Sequence, residues 1–329
     1  MKLQQLRYLC SVVDHGFNIT EASQALFTSQ PGISKQIRQL ERELGVEILA
    51  RQGNRIIGLT DPGQEFVAAA QRLLIDSQEL KKIAAGFSSS DSGSLKVATT
   101  HLHARYPLLP VISAFSKKYP KVRLSLFQGP PAEIASRVAS GFADIGITTG
   151  PASADPQLIM LPAYHIHRCL ITPPRHKLLK VPRISLAAIA RYPLIVYDAN
   201  FSSGWTVSHA FERHQITPNI VLSATDADVI KAYVASGLGI AILQSMAYDP
   251  KKDTDIRAIP VDHLIPPSMT HVVLRGGKFL THYMFDFIEM CSKNWTPSLV
   301  RNALRPPPVP AAPITKSLGV RKKSSCMEA

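Results

Sequence analysis

Apolar residues recur at intervals of three and four through the first sixty positions. Leu3, Leu6, Cys10 and Val13 mark one helix, which Gly16 stops. "EASQALF" follows as a second short helix, with Thr20 as its expected N-cap. "TSQPGISKQIRQLEREL" starts a third. Ser29 is its expected cap, and Pro31 falls in the first turn, where a missing N–H costs nothing. Ile33, Ile37, Leu40 and Leu44 form its buried stripe, and Gln30, Ser34, Lys35 and Arg38 the outer face. Two short helices so joined, the second polar and basic outside, form a helix-turn-helix. Its N-terminal residues suit the major groove, where Gln and Ser bond base edges and Lys and Arg neutralise phosphates. "ARQGNRIIGLT" then turns at Gly53-Asn54 between extended runs, the form of a β-wing, with Arg51 and Arg55 placed for DNA backbone or minor groove. The expected DNA-facing set is Ser29, Gln30, Pro31, Ser34, Lys35, Arg38, Arg51 and Arg55. A three-helix bundle with a solvated charged face fits the same pattern.

Asp61-Pro62-Gly63 opens a longer helix that runs to about Gly86. Phe66, Ala70, Leu73, Ser77, Leu80, Ala84 and Phe87 form an a/d seam over three heptads. Such a stripe on a helix roughly 38 Å long suits a partner helix, so Phe66, Leu73 and Leu80 are the expected dimer contacts; packing on its own chain is the alternative. "SSSDSG" (88–93) reads as a flexible hinge.

From Ser94 the period changes. "SLKVATT", "VRLSLFQG" and "ADIGITT" read as strands separated by helices, a βαβαβ unit. "HRCLITP", "PLIVY", "NIVLSAT" and "GLGIAIL" give a second strand set, with helices near 185–190, 203–213 and 226–236. "HVVLRG" and a helix over 281–294 come last and are placed to return to the first unit. The fold class is therefore α/β. An N-terminal winged helix-turn-helix (1–61) and a linker helix (62–87) lead through the hinge to a two-lobed effector domain like periplasmic binding proteins (94–300). A Pro-rich basic tail, 301–329, is expected to be disordered. Ligands of such lobes bind at strand C-termini and helix N-termini. Thr99 and Thr100 end the first strand and Thr148 and Thr149 the third, a setting that suits an anion. Thr225 and Asp226 head a later helix; Asp226 reads as its N-cap.

Composition narrows the function classes. Apolar residues make up 45% and charged ones 19% of the 329, as in a soluble globular chain without a membrane span. The four cysteines are far apart and lack a CxxC pair, and no secretory signal opens the chain, so a cytoplasmic protein is expected. Net charge is +13, yet residues 1–61 hold seven Lys/Arg against six Asp/Glu, so bulk charge does not locate a nucleic-acid site. His101 and His103 share the spacing of His165 and His167, but no Cys or carboxylate stands close enough in sequence to complete a metal site. No GxSxG, HExxH or Walker motif appears. An enzyme, a metal and a cofactor are not expected; a solute-binding protein without a DNA role is the rival from another class.

The order of domains resembles the LysR-type transcriptional regulators. "MKLQQLRY", "TSQPGISKQIRQLE", "ATTH..ARY", "SATDADVIKAYV" and "YMFDFI" resemble the branch of CysB and Cbl, regulators of cysteine biosynthesis and sulfur assimilation. The likeness spans about 1–295; the tail lies outside it. It implies a tetramer, a dimer of dimers, on promoters of sulfur-uptake genes, with RNA polymerase as a further candidate partner. An acetylserine-type inducer, sulfate or thiosulfate would sit in the cleft; organosulfur utilisation with another effector is the alternative. Carried over by position, the anion site uses Thr100, Leu102, His103, Thr149 and Ser202. Leu102 stands where the branch has threonine and His103 where it has glutamine; Ser202 keeps a hydroxyl in place of threonine. His103 would donate as glutamine does, and add charge when protonated.

Overall fold

The structure, a computed structural model, describes residues 1–53, 55–86, 92–150 and 155–304. Three helices, α1 (Leu3–Asp14), α2 (Ile19–Ala25) and α3 (Gln30–Leu44), precede an antiparallel hairpin of β1 (Leu49–Gln52) and β2 (Arg55–Leu59). Leu6, Leu9 and Cys10 meet Ile33, Ile37 and Leu40 in one core, closed by Ile48 and Leu49. Ser29 caps α3 by accepting from the Gly32 N–H at 3.3 Å. Two details depart from the sequence expectation. Asn18, not Thr20, caps α2, its Oδ1 accepting from the Thr20 and Glu21 N–H groups at 3.0 and 3.3 Å. Leu44 leaves the stripe, 37% exposed, because Gly45 ends the helix there in left-handed backbone, φ 69°.

The long helix α4 (Asp61–Gly86) grows out of this domain rather than beside it. Its first turn presses so close that a Cβ on Gly63 would stand 2.1 Å from the Ile48 carbonyl oxygen. The heptad therefore divides. Val67 and Ala70 are buried in the winged-helix core with Phe66 half-buried against it, whereas Leu73 and Leu80 are 47% and 68% exposed. Phe66 is thus a contact within the chain, and the expected boundary after residue 61 cuts through one packed unit. Phe87 and most of the expected hinge lie outside the described residues; its last residue, Gly93, already belongs to a strand.

The α/β region forms two five-stranded sheets. The first lobe holds β3 (Gly93–Thr99), α5 (His101–Arg105), α6 (Leu108–Lys118), β4 (Val122–Gln128), α7 (Pro131–Ala139), β5 (Ile145–Thr149) and β6 (Leu158–Ile166). The second holds β7 (Arg168–Thr172), α8 (Leu186–Ile189), β8 (Leu194–Tyr197), α9 (Ser202–Arg213), β9 (Ile220–Ala224), α10 (Ala227–Ala235), β10 (Ile240–Gln244) and β11 (Arg257–Pro260). The chain then returns to lobe one as β12 (Ser268–Arg275), α11 (His282–Cys291) and α12 (Pro297–Leu304). Strand order is β4-β3-β5-β12-β6 in the first sheet and β11-β7-β10-β8-β9 in the second. The return of 271–276 to the first unit is as the sequence suggested. α12 overturns the start of the tail at 301, since Val300 and Leu304 are buried in the lobe-one core.

Two crossovers join the lobes, and one buried cation ties them. The Arg168 guanidinium donates to the Pro266 carbonyl at 3.2 Å and to Ser268 Oγ at 2.8 Å, linking the outgoing strand to the returning one. Asp262 accepts from the Arg168 N–H at 3.3 Å and lies 2.8 Å from His167 Nδ1. Burial lowers the Arg168 pKa to about 10, still charged at neutral pH. His167 is thus a hinge residue rather than half of a metal-binding pair.

Candidate DNA face and effector cleft

Ser29, Gln30, Pro31, Lys35 and Arg38 are all exposed along α3, with Ser34 half-buried beside them. The apolar i, i+4 stripe of Ile33 and Ile37 turns inward and leaves this polar face outward. Arg55 is exposed at the tip of the hairpin. Arg51 is committed elsewhere. Its guanidinium meets Glu41 in two bonds, Nη1 to Oε1 at 3.1 Å and Nη2 to Oε2 at 2.7 Å. Glu41 Oε1 also accepts from the Ile48 and Leu49 N–H groups, both at 3.0 Å. Burial alone would raise the Glu41 pKa; the Arg51 guanidinium and these N–H groups outweigh it and hold the carboxylate below its usual range. Arg51 therefore fixes the wing to α3, and the expected basic pair at the turn reduces to Arg55.

The cleft is built by strand ends from both lobes. Thr100, Leu102, His103, Thr149 and Ile166 face Tyr197, Phe201, Ser202, Ser203, Thr225, Ala227 and Gln244 around a small, partly open chamber of about 20 Å³. That is room for a water-sized group. Of the expected set, Thr100, Leu102, His103, Thr149, Ser202 and Thr225 come together here. Thr99 does not: fully buried, it donates to the Ile147 carbonyl at 2.9 Å and holds β3 to β5.

The chain does not stay extended through His101, and that decides the histidine pair. Thr100 starts the short helix α5, its Oγ1 accepting from the His103 N–H at 3.4 Å. Residues two apart on a helix point roughly 200° apart, whereas on a strand they share a face. His101 turns outward, with Nδ1 2.9 Å from Gln128 Oε1 and Nε2 2.7 Å from Asp226 Oδ2. His103 turns inward and is 1% exposed. Asp226 is the cap of α10, accepting from the Asp228 and Val229 N–H groups.

His103 stands in a buried chain of hydroxyls. Its Nδ1 lies 2.9 Å from the Tyr164 hydroxyl, its Nε2 lies 2.9 Å from Thr149 Oγ1, and Thr149 Oγ1 lies 2.7 Å from Thr270 Oγ1. Burial raises the Tyr164 pKa, so the phenol keeps its proton, and Nδ1 is its sole hydrogen-bond acceptor among the described residues. The phenol donates to Nδ1, and the Nε2–H in turn donates to Thr149. Burial also pushes the His103 pKa down to about 4. The ring is neutral at physiological pH and adds no charge to the cleft, contrary to the option open from the sequence. It positions the Thr149 hydroxyl, whose own proton is left to point at Thr270 or into the chamber. Leu102, on the chamber wall, also buries in the lobe-two core beside Ile195 and Tyr197 and so draws α5 across the cleft.

Other features of the chamber were not read from the sequence. Tyr197 OH and Gln244 Oε1 are buried there without a hydrogen-bond partner among the described residues. No side chain caps the N-terminus of α9, which begins at Ser202 on the chamber wall. Gly204 allows that approach, since a Cβ there would stand 2.3 Å from the Asp198 carbonyl oxygen. A free helix N-terminus with hydroxyls around it favours negative charge. Among the described residues no Lys or Arg lines the chamber, so fixed dipoles would do the work. A hint lay in the sequence: Phe201-Ser202-Ser203-Gly204 follows a strand end, where ligands of α/β lobes collect.

Comparison with known proteins covers both parts of the chain. Residues 3–64 match the model for the bacterial regulatory helix-turn-helix protein, lysR family, and residues 88–296 the LysR substrate binding domain. The HTH-type transcriptional regulator CysB of Burkholderia cenocepacia is 41% identical over 305 residues, 93% of this chain and 97% of that protein. The HTH-type transcriptional regulator SsuR of the same organism is 42% identical over 305 residues, 93% of this chain and 99% of that protein. The crystal structure of the cofactor-binding domain of the Cbl transcriptional regulator superposes with a TM-score of 0.62 at 37% identity, covering 65% of this chain and 93% of that one. No helix among the described residues is long and apolar enough to cross a membrane. A helix-turn-helix matched in its own right leaves no place for a solute-binding protein without a DNA role. Winged helix, linker and two-lobed domain stand in the order and at the length of these regulators: the chain belongs to the LysR family of DNA-binding transcriptional regulators.

Proposed function

We propose that the protein controls genes for sulfur assimilation, binding their promoters through Ser29, Gln30, Pro31, Ser34, Lys35, Arg38 and Arg55, and that a small anion or acetylserine-type effector in the cleft sets its activity. The sulfur assignment rests on the relatives named CysB, SsuR and Cbl. One observation carries the effector site: Thr100, Thr149 and Ser202 converge on the uncapped N-terminus of α9, next to the unpaired Tyr197 and Gln244. A sulfate-like anion at the mouth of this chamber, between Thr149 and Ser202, takes donors from hydroxyls and backbone N–H groups without a counter-cation. The assembly is a dimer of dimers joined through the outer part of α4, and RNA polymerase is a further partner.

Thermal shift and calorimetry with sulfate, thiosulfate, O-acetylserine and N-acetylserine test the cleft. Thr149→Val and Ser202→Ala each weaken the bound effector by at least about tenfold, as expected for loss of a hydrogen bond to a charged group. Equal binding by wild type and both variants refutes the site. On DNA, Lys35→Ala and Arg38→Ala weaken promoter binding and flatten its salt dependence by about one ion each. An unchanged slope removes those two residues from the interface.

A further inference from the structure

A second cavity of about 390 Å³ opens directly beside the small chamber. Thr149, Phe201 and Ser202 wall both spaces, so the two are rooms on either side of one threshold. Their chemistry differs. The chamber is ringed by hydroxyls and the end of α9; the larger cavity is lined mainly by apolar groups, among them Ala132, Ala135, Met160 and Trp205. Trp205 is 54% exposed at this cavity, stacked on His209 with ring centroids 5.2 Å apart. Its indole is surface that a bound apolar group would cover. Thr148, 6% exposed, also lines the cavity, and its Oγ1 has no hydrogen-bond partner. A buried hydroxyl without a partner costs free energy that a bound polar atom would recover.

The chamber holds a water-sized group only, which leaves the threshold as the seat for a tetrahedral head. There Thr149 and Ser202 offer hydroxyls at the α9 N-terminus, and Thr148 lines the larger cavity beyond it. A free inorganic anion would use the threshold and leave the apolar cavity to water. Voids of roughly 150 Å³ with apolar walls are known to take a benzene ring, so this cavity is ample for an aryl or short alkyl group. We infer that the effector is a tetrahedral oxyanion carrying an apolar tail, an organosulfonate or sulfate ester, with its head between Thr149 and Ser202 and its tail against Ala132, Met160 and Trp205. This rests on the anion site proposed above and names the class of molecule that fills it.

The test is a calorimetric titration of the full-length protein with inorganic sulfate, methanesulfonate, butanesulfonate and benzenesulfonate, read alongside tryptophan emission. Affinity is expected to rise about fourfold per added methylene, the worth of one buried CH₂, with a blue shift of emission for the butyl and phenyl compounds. Ala132→Phe, at an exposed position of α7 on the cavity wall, fills the tail space. It is expected to abolish the gradient while leaving methanesulfonate binding unchanged. A flat series, or a gradient that survives Ala132→Phe, overturns the tail assignment and leaves the anion site standing. Butanoate binding as tightly as butanesulfonate overturns the choice of head. If neither sulfate nor any sulfonate binds, the anion site itself is wrong, and the tail assignment falls with it.

Discussion

His103 shows how a single residue acts through its neighbours. Its folded pKa of about 4 lies below the ordinary histidine value of about 6.5. Between those values the unfolded chain binds the proton and the folded chain does not. The residue's contribution to stability is therefore complete above pH 6.5 and is lost as pH falls toward 4. At pH 5 the loss is on the order of 2 kcal/mol relative to pH 7. Urea denaturation of wild type and His103→Gln at both pH values checks it. Glutamine presents one acceptor and one donor, enough for Tyr164 and Thr149, and does not titrate. The variant should keep most of its pH 7 stability and lose less on acidification; equal losses in the two proteins would show that His103 does not stay neutral. His103→Leu removes both bonds and is expected to cost roughly 2–4 kcal/mol at pH 7, and less at pH 5, since two buried hydroxyls lose their partner but the variant does not titrate.

α4 shows the same division of labour along one element. Leu73 and Leu80 stay exposed, while Val67 and Ala70 hold the helix to its own domain. Leu73→Glu with Leu80→Glu should therefore leave thermal stability of the monomer nearly unchanged and lower the sedimentation coefficient toward that of a single chain. A double variant that sediments as wild type would show that this part of the helix is not the dimer seam. Ala70→Glu is expected to unfold the winged helix instead, because it buries an unpaired charge. The contrast could not be read from periodicity. The heptad spacing is continuous, and only the close approach of Gly63 to Ile48 shows where own-chain packing begins. Long periodic elements were legible, and so was the βαβ order of both lobes. β6 and β11 were not. β11 has four residues, and β6 carries Pro162 where its register with β12 slips. Proline is tolerated there because β6 is an edge strand. At the site, hydroxyls near strand ends were legible as a class. The roles of Thr99, Leu102 and Arg51 were not, since each depends on a partner dozens of residues away or on a strand giving way to a helix.

On the scale of the whole molecule, α5 is the piece that lets the lobes act together. It follows a lobe-one strand, yet Leu102 and Tyr106 pack into the lobe-two core. Its outer side meets the start of α10: His101 Nε2 lies 2.7 Å from Asp226, Arg105 Nε lies 2.5 Å from Asp228, and the Tyr106 hydroxyl donates to Asp228 at 2.9 Å. Behind the cleft, Arg168 keeps the crossovers together. A latch in front and a staple behind define one closed arrangement, and an effector bound at the threshold would be enclosed by it. The latch side chains are about half exposed, so each ion pair is worth at most about 1 kcal/mol. His101→Ala with Arg105→Ala removes both pairs and spares the capping role of Asp226. Global stability should change by less than about 1 kcal/mol, because neither side chain is buried. Effector affinity should fall about fivefold, through faster release, as the closed form becomes less populated. Stopped-flow displacement measures the release rate, and small-angle scattering of the isolated effector-bound and free forms follows the opening. A double variant that releases effector at the wild-type rate would mean that the apolar grip of Leu102 and Tyr106 closes the cleft unaided, and that the ion pairs only decorate its rim.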